Sequence, residues 1–198
     1  MIRTFILAAC VAALVSGVAG APAGANAYRE KGRTAIVAKA ITVTPPRDWN
    51  KLAFLPGKHA ETWTLDGEQL NEITFYGGVE AGQPLVREVS RKRKPLPRFT
   101  RATLLVEVPE LLEGTYRAGR DIGTFSLTGS APGKFLGRDG IRFTYDYVDG
   151  DNLPRKGEAH AALIGGRLYM ATFDAPRLHY FDRVLADFHA LIGTARLP

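Results

Sequence analysis

Along Ile141-Arg142-Phe143-Thr144-Tyr145-Asp146-Tyr147, apolar and polar residues alternate one for one. A period of two belongs to a strand with one buried face and one wet face. Four strands are expected in the last third of the chain, over residues 124–127, 140–148, 158–164 and 167–173. Asp149-Gly150-Asp151-Asn152 supplies the turn between the second and third, and Gly165-Gly166 the tight turn between the third and fourth. Ala175-Pro176 is expected to break the last strand. The period then changes to 3.6. Phe181, Val184, Leu185, Phe188, Leu191 and Ile192 form one helical stripe, with Asp182, Arg183, Asp187 and Arg196 on the other side.

The first half is less regular. Residues 34–44 are rich in β-branched side chains and predict a first strand, ended by Pro45-Pro46. Trp49 and Leu52 tuck the following turn onto the core. Residues 61–79 predict a hairpin about Asp66-Gly67, returning to a second turn at Gly77-Gly78. Residues 80–101 have two prolines and no apolar period, and predict an exposed polar connection. A helix follows, with Pro109 in its first turn, Leu111, Leu112, Thr115 and Tyr116 along one side, and Gly119 at its end. Leu104, Leu105 and Val106 either extend that helix or form a short strand. The economical architecture is α+β: a mainly antiparallel sheet with packed helices, a sandwich, in a single domain over residues 28–198. There is no internal repeat.

The tail carries a resemblance. Hairpin strands, Gly165-Gly166-Arg167-Leu168-Tyr169, a Phe173-Asp174-Ala175-Pro176 break, then a closing helix with Tyr180-Phe181 and Phe188 follow in one order. That order resembles the end of PsbP-like α/β/α sandwiches, over residues 120–195. The resemblance implies the fold and an envelope or thylakoid-lumen setting. It brings no motif of catalytic residues, and fold does not fix function.

The N-terminus sets the location. Arg3 precedes an apolar run over residues 5–18, and Ala25-Asn26-Ala27 has the small-x-small form a signal peptidase accepts. The run is shorter than the ~20 apolar residues that span a bilayer. Residues 1–27 are therefore read as a removable export signal, and the domain is expected in the periplasm or secreted. The only cysteine, Cys10, falls inside the signal. Its loss removes disulfides, thiolate metal sites and cysteine nucleophiles from the domain. Leu7-Ala8-Ala9-Cys10 has the alternative form of a lipobox, with acylation at Cys10 and an outer-membrane anchor. The apolar stretch before it is shorter than the roughly 7–15 residues a signal core uses.

The net charge of +6 is modest and is concentrated in one place. Arg91-Lys92-Arg93-Lys94, extended by Arg87 and Arg98, reads either as a docking patch for an anionic envelope component or acidic protein, or as a solvated loop. Nucleic acid is not expected, since the chain is exported and no aromatic residues interleave the run. His59, His160, His179 and His189 are not paired at metal-ligand spacing, so a zinc site would have to be assembled from remote positions. Asp146, Asp149, Asp151 and Asn152 do not match a calcium loop and read as turn chemistry. Ser90, Ser126 and Ser130 lack a nucleophile-elbow setting. The aromatic residues, Tyr145 and Tyr147 among them, either pack under a helix or floor a cleft. No catalytic, cofactor-binding or metal-binding set is expected. The leading expectation is an exported, non-catalytic binding or accessory module. The alternatives are the lipoprotein anchored through Cys10, and a hydrolase or transferase joining His160 or His179 to Asp146 or Asp174.

Overall fold

A computed structural model describes residues 26–90, 92–120 and 122–198. Residues 1–25, over which an export signal is expected and which include Cys10, lie outside the described residues, as does Arg91. The strands are β1 (Ala27–Arg29), β2 (Ala35–Val37), β3 (Ile41–Val43), β4 (Trp49–Lys51), β5 (Ala60–Thr64), β6 (Glu72–Val79), β7 (Thr124–Phe135), β8 (Arg138–Val148), β9 (Pro154–Ile164) and β10 (Arg167–Pro176). The helices are α1 (Val108–Arg120) and α2 (Tyr180–Gly193). Eight strands form one sheet in the order β1-β4-β5-β6-β10-β9-β8-β7, and β2 and β3 form a separate hairpin. Every pairing is antiparallel.

Alternation along β10 divides the core in two. Leu168 and Met170 face one side with Tyr76, Phe143, Tyr145 and Tyr147, where Val108, Leu112 and Tyr116 of α1 cover them. Ala171, Phe173 and Ala175 face the other, with Trp63, Ile73 and Phe75, under α2 and the β2–β3 hairpin. There Phe173 stacks on Phe181 at 5.2 Å and on Phe188 at 5.4 Å. The result is three layers, helix on sheet on helix, with the most hydrophobic strands in the middle.

Several elements differ from the sequence reading. Residues 34–44 form two strands, because Ala38 and Lys39 take positive φ angles of 45° and 64° and reverse the chain. Gly77 lies inside β6 rather than in a turn, and a Cβ there would collide with the Ala38 carbonyl. That glycine lets the hairpin backbone settle on the sheet. Strand β7 runs on through Gly129, Pro132 and Gly133 to a turn at Leu136-Gly137, which an edge strand tolerates because one side of it is unpaired. Strand β10 continues to Pro176, past its last β6 partner at Asp174, so the missing proline N–H costs no bond on that side. Residues 105–107 form one 3₁₀ turn rather than a strand or more of α1, with the Glu107 carboxylate accepting the Leu104 N–H at 2.8 Å.

Packing under α1 is tight enough to test. Gly157 of β9 lies opposite Tyr145 of β8, and a Cβ at position 157 would overlap the Tyr145 ring. Gly157→Ala is expected to destabilise the fold by about 1–3 kcal/mol, seen as a melting temperature lowered by roughly 3–10 °C. Gly123→Ala, with nothing within 4 Å of its new methyl group, serves as the control. Equal melting temperatures for the two variants would contradict this packing.

Candidate functional site

A cleft of about 970 Å³ opens on the α1 side of the sheet. One wall is the C-terminal half of α1, with Tyr116, Gly119 and Arg120. The others come from residues 52–56, the connection over residues 86–96, and the 149–151 turn. Tyr76 and Tyr147 contribute from the sheet, and Phe54 and Val89 are apolar residues exposed at the mouth.

Polar groups beneath the cleft are closely matched. Asp174 is completely buried, and its carboxylate accepts the Tyr116 hydroxyl at 2.6 Å and the Tyr145 hydroxyl at 3.0 Å. Burial, and then the Asp174 charge, hold both phenols well above their ordinary pKa. The Arg155 guanidinium donates to the Tyr147 hydroxyl at 3.0 Å and to the Gln69 carbonyl at 2.9 Å, and lies 3.5 Å from Asp149. Arg120 sits over the Tyr116 ring at 4.5 Å and bonds Glu72 at 3.1 Å. Burial raises the Glu72 pKa, and the Arg120 charge partly offsets this. These tyrosines stay protonated near neutral pH and Tyr116 and Tyr145 give their hydroxyl hydrogens to Asp174, so the cleft floor offers ring faces rather than a phenolate base.

The described residues of the basic run are divided in position. Arg87, Arg93 and Lys94 line the cleft, whereas Lys92 is exposed without lining it. Arg98 turns inward to bond Glu88 at 2.7 Å and the Gly82 carbonyl at 2.8 Å. The connection is anchored, because Leu85, Leu96 and Phe99 are buried, and so it differs from the solvated loop its prolines suggest. The Asp149 side chain accepts the Asp151 and Leu153 backbone N–H groups, which is turn chemistry. Ser126 and Ser130 are exposed on edge strand β7, and the Ser90 hydroxyl accepts the Arg93 N–H at 3.4 Å.

Across the sheet lies a second group. Glu158 and His160 alternate onto the same face of β9, and α2 brings His189 to them. The Oε1 atom of Glu158 meets His160 Nε2 at 2.8 Å and His189 Nε2 at 2.7 Å, while Oε2 accepts Arg142 at 2.7 Å. Burial alone would raise the Glu158 pKa, but the bonds from His160, Arg142 and His189 overcome it and hold it at about 2. His160 therefore partners Glu158, not Asp174, which faces the opposite side of the sheet under α1. His179 is exposed at the start of α2 and packs against the Tyr180 ring. Burial lowers the pKa of His59, whose Nε2 has no hydrogen-bond partner among the described residues. Residues 158 and 160 share a strand face by period alone, but the approach of His189 depends on tertiary packing. Among the described residues no helix is long and apolar enough to cross a membrane.

No protein-family model matches the chain, and no curated protein sequence matches it. Solved structures do. LpqN, involved in cell envelope biogenesis of Mycobacterium tuberculosis, matches with a TM-score of 0.38 at 9% identity, over 90% of this chain and 87% of that one. The Saccharomyces cerevisiae Ran-binding protein Mog1p matches with a TM-score of 0.45 at 10% identity, over 88% of this chain and 96% of that one. Cyanobacterial PsbP (CyanoP) from Synechocystis sp. PCC 6803 matches with a TM-score of 0.53 at 12% identity, over 92% of this chain and 96% of that one. The fold is thus PsbP-like, and the likeness extends well beyond the tail residues that suggested it.

Proposed function

We propose that this protein is an exported, non-catalytic binding module of the cell envelope. Its α1-side cleft takes a partner that presents a localised anionic group on an apolar body. One observation carries this reading. Among the described residues, the Arg87 and Arg93 guanidinium groups have no hydrogen-bond or ion-pair partner, and they line the same cleft as Phe54, Val89 and Leu96. The neighbouring Arg98, Arg120 and Arg155 are instead occupied by Glu88, Glu72 and Asp149. Glu68 and Asp151 also line the cleft, and they disfavour an extended polyanion such as nucleic acid.

Export is supported by Arg3, the apolar run over residues 5–18 and Ala25-Asn26-Ala27. The Leu7-Ala8-Ala9-Cys10 sequence favours a second form, in which acylation tethers the same module to a membrane. The intact mass of chain recovered from host membranes distinguishes the two.

Vesicles containing phosphatidylglycerol test the binding reading at low salt. A cation near an anionic surface contributes about 1 kcal/mol, so the Arg87→Ala, Arg93→Ala double variant is expected to bind roughly thirtyfold more weakly. Binding to purely zwitterionic vesicles is expected to be weak for both proteins. Equal binding of the variant and the parent chain to the anionic vesicles would overturn the assignment of the anionic site.

A further inference from the structure

The α2 side of the sheet carries a site of different chemistry, independent of the cleft. We propose that Glu158, His160 and His189 form a binding site for a divalent transition ion of the zinc type. Their ligand atoms all lie within 4.8 Å of one another. Both imidazole Nε2 atoms converge on a single carboxylate oxygen, Oε1, at 2.8 and 2.7 Å. Zinc–nitrogen and zinc–oxygen bonds of about 2.0–2.2 Å place tetrahedral ligands ~3.4 Å apart. The two short contacts therefore need to open by only about 0.6 Å for an ion to replace the bridging hydrogens.

The frame around these atoms is suited to holding an ion. Glu158 and His160 are fixed by central strand β9, and His189 by α2. Phe188 packs against both imidazoles, with its ring centroid 5.8 Å from each, and restrains their rotation. Arg142 holds Oε2 of Glu158, which leaves Oε1 as the single carboxylate ligand and orients it from the outer shell. Three protein ligands then leave a fourth position for water. Entry needs no opening of the fold, since the His189 side chain is 42% exposed while that of Glu158 is 1% exposed.

The donor set decides the metal class. Two imidazoles and one carboxylate suit zinc or its first-row neighbours, whereas calcium and magnesium require oxygen-rich cages. Coordination through Nε2 places the remaining ring hydrogen of each imidazole on Nδ1. An ion held there ties α2 to β9 and stabilises the native state by mass action.

Zinc chloride is titrated into the untagged chain, following heat release and thermal melting. One equivalent is expected to bind. At a hundredfold excess of zinc over its dissociation constant, the melting temperature is expected to rise by roughly 5–10 °C. His189→Ala, at a partly exposed position that leaves the buried carboxylate its His160 and Arg142 partners, is expected to weaken binding at least tenfold. His179→Ala is expected to leave binding unchanged, and calcium chloride to give no shift. Absence of stoichiometric zinc binding would overturn the proposal, as would binding that survives His189→Ala or is lost in His179→Ala. The imidazole nitrogen resonances of His160 and His189 are expected to move together on zinc addition. Movement of His59 or His179 instead would place the ion elsewhere and equally overturn it.

Discussion

A carboxylate buried in the middle of the sheet organises the α1 half of the molecule. Asp174 sits on central strand β10 with no solvent contact, and a charge so placed is tolerated only when hydrogen-bonded. Tyr145 of β8 supplies one bond and Tyr116 of α1 the other, so the helix and the sheet share the same anchor. The Tyr116 ring then sets its edge against Phe125, Tyr145 and Tyr147, which fixes the helix over the aromatic surface of β7 and β8. Arg120, one turn further along α1, is thereby brought to Glu72, and the cleft wall is complete. The cleft is in this sense a consequence of satisfying one buried charge.

The second face solves the same problem with different chemistry. Glu158 is also buried, one strand away, and α2 reaches it through His189 as α1 reaches Asp174 through Tyr116. The phenols keep their protons at neutral pH and make a permanent lock. Imidazoles can exchange their Nε2 hydrogen for a cation, so the same arrangement on the other face is able to respond to metal. Each helix is thus tied to the sheet by a carboxylate, and only one of the two ties is chemically exchangeable.

Periodicity made much of this architecture legible. The alternation over residues 141–147 identifies β8 and the shared face of its tyrosines, and the stripe from Phe181 to Ile192 identifies α2. Three-residue strands β1 and β4 carry too few positions to show a period. The reversal at Ala38-Lys39 left no trace because neither residue is a usual turn former. Residues assembled by tertiary packing were hidden for a related reason. His160 and His189 are far apart in the chain, and nothing local distinguishes Asp174 from an ordinary strand-end acid. The basic run was visible as composition, but the inward turn of Arg98 onto Glu88 depends on the path of the whole connection.

Amide hydrogen exchange in Tyr116→Phe tests the role of the buried carboxylate most directly. Loss of a hydrogen bond to a charged group costs about 1.5–3 kcal/mol. If Asp174 anchors α1, amides of α1 are expected to exchange roughly ten- to a hundredfold faster while those of α2 keep their protection. Unchanged exchange in α1, or equal acceleration in both helices, would contradict the account.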